Sequence, residues 1–179
     1  MSWYTPNLYA AIDFRLNGDT GTGGLFNGSA PLVTGSYLEQ MPTEQLLPAI
    51  TMNEVSCINS DATRCRTARV SFEVHAWVAR NPIPTSTGSE PEQPQYKAYR
   101  RIADIEKRII GDWPSQVAGT GPTYGLDRFQ PSLDAYTTGV TACGWTADTI
   151  RRTYVRDDDN DDILHRIFGF EILISEVAA

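Results

Sequence analysis

The stretch that most constrains this chain is residues 68–79, ARVSFEVHAWVA, which alternate almost without error. Val70, Phe72, Val74, Ala76 and Val78 share one side; Arg69, Ser71, Glu73, His75 and Trp77 share the other. Successive strand side chains point to opposite faces, so the pattern predicts a long strand with one apolar face and one polar, aromatic face. The apolar face needs a cover. Residues 95–112 can supply it, because Ala98, Tyr99, Ile102, Ile105 and Ile109 fall on one helical stripe. Gly111 and Pro114 stop that helix. Its basic residues (Lys97, Arg100, Arg101, Lys107, Arg108) invite a phosphate-binding reading, but Asp104, Glu106 and Asp112 alternate with them. A solvated face with i, i+4 pairs explains the mixture better.

Other elements follow from local signals. Residues 6–17 read as a first helix, with Thr5 as N-cap, Pro6 in the first turn, Leu8, Ile12 and Leu16 as its stripe, and Gly18 after its end. Residues 32–38 suggest a short strand. Residues 47–55 suggest a second strand, pairing with 68–79 as an antiparallel hairpin across a polar connection at 56–66. Residues 144–156 read as one strand and 163–177 as the last, where Gly169 signals a bulge or a close backbone approach. Residues 115–139 are turn-rich, with a short extended piece at 126–130. Flexible loops are expected at about 18–30, where glycines cluster, and at about 81–94, where prolines do. The sum is a single α+β domain, 1–179, with one mixed, mainly antiparallel β-sheet packed with two α-helices.

Composition excludes some functions. The net charge of −7 argues against a dedicated nucleic-acid binder, which needs a basic patch. The glycine-rich loop has neither GxxxxGK[ST] nor GxGxxG spacing and contains no lysine, so it is no phosphate cradle. No signal peptide or spanning segment is expected. The odd set Cys57, Cys65 and Cys143 contains no CxxC pair, and free thiols are expected. Cys57 and Cys65 could face each other across the hairpin, although two small semi-buried side chains are the plainer reading. No nucleophile signature is present, so no enzyme, catalytic residue or cofactor is expected.

Two clusters bear on metals. Asp157, Asp158, Asp159, Asp161 and Asp162 crowd one turn, but the sixth and twelfth positions counted from Asp157 are Asp162 and Phe168, where an EF-hand needs Gly and Glu. A solvated hairpin tip is expected. His75 and His165 lie in strands and could meet across a sheet, with Glu73 and Glu171 nearby by strand phase; a metal site would need a third ligand, and no metal is expected. Trp77, opposite the apolar face of its strand, suits a subunit interface.

In order and spacing, the chain resembles the siphophage-type phage tail terminator, or tail-completion, family. The likeness is carried by the LYAAIDFRL helix, Pro48–Thr51, the VSFEVHAWV strand, the YRRIADIEKRII helix and the closing HRIFGFEILI strand. The resemblance implies a mixed sheet flanked by two helices. It further implies a structural virion protein, assembled in the host cytoplasm, that forms a ring, commonly a hexamer. Such a ring caps the tail tube, contacts the tube protein and the head-completion or neck protein, and lets DNA pass without specific binding. No membrane is involved. The alternatives are another neck component, such as a head-closure or stopper protein, or a small metal-binding domain using the acidic turn. On the ring reading, candidate subunit or partner contacts are Trp77, Arg69, Glu73, Asp19, Leu25, Phe26 and Ile83. Candidate lumen or rim residues are Asp157, Asp158, Asp159, Asp161 and Asp162.

Overall fold

The computed structural model describes residues 5–17, 24–26, 31–42, 47–62, 65–80, 94–111, 124–133 and 144–176. In chain order these form α1 (Thr5–Asn17), β1 (Ser36–Leu38), β2 (Ala49–Ala62), β3 (Cys65–Ala79), α2 (Pro94–Ile110), β4 (Trp145–Ala147), β5 (Arg151–Asp157) and β6 (Ile163–Glu176). The strands make one mixed sheet in the order β1-β2-β3-β6-β4, with β5 also on β6. The β1–β2 pairing is parallel and the others are antiparallel. The architecture is the α+β fold that the pattern predicts.

The alternating strand β3 is central, paired along its length with β2 on one side and with β6 on the other. Its apolar side chains Val70, Phe72, Val74, Ala76 and Val78 are buried. Phe72 stacks on Phe170 of β6 with ring centroids 5.5 Å apart. Helix α2 covers this face, burying Ala98, Ile102, Ile105 and Ile109. Tyr99 departs from the expected stripe and is exposed, because its angle on the helix carries it past the sheet contact. At the margin of this face Arg166 of β6 bridges Glu106 of α2 and Asp157 of β5. Helix α1 buries Leu8, Tyr9, Ile12 and Leu16 in the same core.

Four expectations need correction. The polar connection at 56–66 is strand: β2 runs to Ala62 and β3 starts at Cys65. Sequence reading missed it because Glu54, Ser56, Asn59 and Ser60 are exposed, and a strand with no buried side shows no alternation. In this register Cys57 pairs with Val70 and Cys65 with Ala62, so the two cysteines do not face each other.

The expected strand 144–156 is two strands. Asp148 N still donates to Leu173 O of β6 at 2.8 Å, but Ile150 exchanges backbone hydrogen bonds with Arg128 and Phe129, which divides the run into β4 and β5. The extended piece at 126–130 is instead a turn that caps α2. Leu126 N donates to Ile109 O at 2.8 Å and Asp127 N to Ile110 O at 3.0 Å, satisfying carbonyls the helix end leaves open. The cap requires glycine. Gly125 has φ 84°, and a Cβ there would collide with the backbone of Gly111, itself at φ 105°.

Candidate functional site

Helix α2 covers one side of the sheet. The register defines rows across the other. Ile58, Arg69 and Leu173 align across β2, β3 and β6; Ser56, Ser71, Glu171 and Arg151 form the next row. Asn53, Glu73, Gly169 and Tyr154 follow, and then Thr51, His75, Ile167 and Arg156. Ala49, Trp77 and His165 close the series. The face divides in character along these rows.

The half near Trp77 is a buried polar network. His75 Nδ1 lies 2.9 Å from His165 Nε2, and His75 Nε2 lies 3.0 Å from Glu73 Oε2. The Tyr154 hydroxyl donates to the other oxygen of Glu73, and Arg156 approaches that oxygen at 3.6 Å. Beyond the second imidazole, His165 Nδ1 faces Asp158 Oδ2 at 3.6 Å. The Trp77 ring stacks on His165 with centroids 3.5 Å apart, and its Nε1 donates to Thr51 Oγ1 at 3.2 Å. Glu73, His75 and His165 are all buried.

Local sequence explains how the network assembles. The register shift between Arg152 and Tyr154 turns Tyr154 and Arg156 onto this face and leaves Arg152 on the other. Gly169 lies opposite both Glu73 and Tyr154. A Cβ at Gly169 would strike the Tyr154 ring. The glycine therefore lets the tyrosine cross β6 and reach Glu73 on the strand beyond. The close approach expected at Gly169 is that of a side chain.

The electrostatics follow. Burial pushes the Glu73 carboxyl up, but the Tyr154 and His75 hydrogen bonds and the charge of Arg156 outweigh it and hold it below its usual value. Burial, then the bond to Glu73, raises the Tyr154 phenol. Burial lowers His165, and the neighbouring His75 lowers it further, against the pull of Asp158 and Asp159. The imidazole nitrogens point at each other and outward to separate carboxylates. Among the described residues no group of three His, Cys, Asp or Glu side chains is placed to hold a metal.

The half near β2's end is open. Val55 and Ile58 are exposed, as is Leu173. Arg69 pairs with Glu171 at 3.7 Å. A small crevice of about 130 Å³ lies here, lined by Arg69, Asp148, Arg151 and Glu171 among others.

The acidic turn is the β5–β6 connection, as expected. It is tied down by internal bonds. Asn160 Oδ1 accepts from the amides of Asp162 and Ile163. Asp159 Oδ1 accepts from the amide of His165, and its other oxygen pairs with Arg80 at 3.5 Å. Asp157 binds Arg166 through both oxygens, at 2.6 and 3.1 Å. The carboxylates diverge to different partners rather than converging on one point. Asp161 and Asp162 are exposed.

The candidate contacts fare unequally. Arg69 is exposed on the open half and Trp77 is half-buried. Leu25 is fully buried in the core cluster, which removes it as a contact surface, and Phe26 packs partly buried against the same core. Glu73 is 9% exposed and committed to its own chain, so it is not an open contact either. Asp19 and Ile83, with most of the loops that carry them, lie outside the described residues. The meeting of His75 with His165, near Glu73, follows the predicted strand phase, but Glu171 lies apart from them and pairs with Arg69. Tyr154 and Arg156 carried no sequence signal, because a bulge resets strand phase without marking the sequence.

No described helix is long and apolar enough to cross a membrane. Compared with known proteins, the chain matches no protein family and no curated protein.

Proposed function

We propose that this chain is the subunit of a closed ring of the tail-terminator type, capping a phage tail tube and joining it to the neck. The observation that supports this reading best is the two-sided sheet: α2 seals one face, while the outer half of the other carries Ile58, Arg69 and Leu173 in one exposed row. A mixed apolar and charged row of this kind is suited to burial by a neighbouring subunit. Beyond Met52, moreover, β2 has no described strand partner on its outer side. Exposed strand edges recruit other chains. A ring needs two different patches per subunit, and the β2 edge and the open row offer one of them. The diverging acidic turn and the absence of a converging metal-ligand group among the described residues favour this reading over a cation-binding module.

The test is the solution mass of the purified chain, followed by addition to purified tail tubes. A closed ring that stops tube growth is the expected result. A ring that binds a head connector and leaves tubes growing assigns the chain to another neck component. A chain that stays monomeric, with or without tubes, overturns the proposal.

A further inference from the structure

The Glu73–His75–His165–Asp158 line contains three gaps, of 3.0, 2.9 and 3.6 Å. Two neutral imidazoles carry two ring protons, enough for two of the three. Glu73 is held as a carboxylate by the Tyr154 hydroxyl and Arg156, so its gap needs a proton from His75 Nε2. His75 Nδ1 is then an acceptor, and His165 Nε2–H fills the second gap. His165 Nδ1 is left as a bare lone pair facing Asp158. The widest gap is thus the one without a proton, as expected where a lone pair meets a carboxylate oxygen.

We infer that this line is a proton-operated latch: one proton from solvent, taken up at His165 Nδ1, fills the third gap and draws Asp158 of the acidic turn onto the sheet face. The geometry allows the movement. The Asp158 side chain is 76% exposed, whereas that of His165 is 8% exposed, so the carboxylate is the partner able to move. Among the described residues, the other charged groups facing the two rings are already committed. Arg156 and Tyr154 of β5 face Glu73, and Asp159 is held between Arg80 and the His165 amide. From β2 the facing side chain is the uncharged Thr51. Burial of His165 agrees with uptake below the ordinary histidine range.

Trp77 reports on the state of the latch. An imidazolium is an electron acceptor and quenches an indole stacked on it, whereas a neutral imidazole does so weakly. The experiment follows the full chain from neutral to mildly acidic pH by tryptophan emission and by long-range proton–nitrogen NMR of the two imidazoles. At neutral pH both rings should carry the proton on Nε2. On acidification a single proton should appear at His165 Nδ1, and emission should fall with the same midpoint. Trp77→Phe should remove the emission step. Asp158→Asn, at an exposed side chain, should lower the midpoint by about one pH unit. A neutral-pH His165 carrying its proton on Nδ1, or an Asp158→Asn midpoint equal to that of the parent chain, would each overturn the inference. Every readout is made on the isolated chain, so the result is independent of whether it forms a ring.

Discussion

At the scale of single residues, Gly169 is the most exacting position. Its missing side chain is the space through which Tyr154 reaches Glu73. Gly169→Ala should therefore either displace the tyrosine or strain β6. The expected loss is about 1–3 kcal/mol, the usual cost of overpacking, read from urea unfolding. Pairing it with Tyr154→Ala identifies the cause: the double variant should lose much less than the sum of the two single variants, because the clash is gone.

Titration at the same site fixes the sign of the acid response. Both Glu73 and His165 have folded-state values below their ordinary ones. A group with a depressed value binds its proton more tightly in the unfolded chain. The stability it contributes is complete above the ordinary value and is lost as pH falls toward the folded value. For His165 the loss begins near 6.5 and for Glu73 near 4.5. Thermal melting from pH 7 downward should show a falling Tm in two stages, and His165→Gln should flatten the upper one.

At the scale of elements, α2 and β2 have opposite roles. The α2 stripe closes the core, so Ile105→Ala should cost about 2–5 kcal/mol in a denaturant melt and leave any subunit contact on the far side of the sheet untouched. Ile58→Asp on the outer half of β2 should do the reverse. Ile58 is 65% exposed, so the melt of the dissociated chain should hardly change, while ring formation weakens in a sedimentation series. Trp77, proposed from sequence as a contact, is a poor choice for this purpose. It stacks on His165 and bonds Thr51, so removing it also disturbs the fold.

At the scale of the whole molecule, the sheet has two unlike ends: the acidic turn at one and the β2–β3 tip at the other. If the turn lines a DNA passage, its charge matters more than its chemistry, and reversal should hinder passage. Asp157, Asp158 and Asp159 are unsuitable for that test because they face Arg166, His165 and Arg80. Asp161→Lys with Asp162→Lys leaves those contacts in place. This pair should preserve the melting temperature and slow DNA delivery in an infection assay. Unchanged delivery would count against a passage-lining position.

The alternation of residues 68–79 was enough to determine a long strand and its apolar side, and the stripe of 95–112 marked the helix that covers it; that the strand is central came from its pairing with β2 and β6. Burial writes itself into sequence as a period, and β3, α2 and β6 each have a buried side. The same phase argument placed His75 and His165 on one face with Glu73. Tertiary structure decided what has no period. The outer half of β2 is exposed and therefore reads as loop, and the division of 144–156 depends on Ile150 bonding a distant turn. The order and charge of the polar network depend on a bulge beside Tyr154 and on a glycine that makes room for it. Those are contacts between strands far apart in the chain, and local sequence carries no record of which partners will meet.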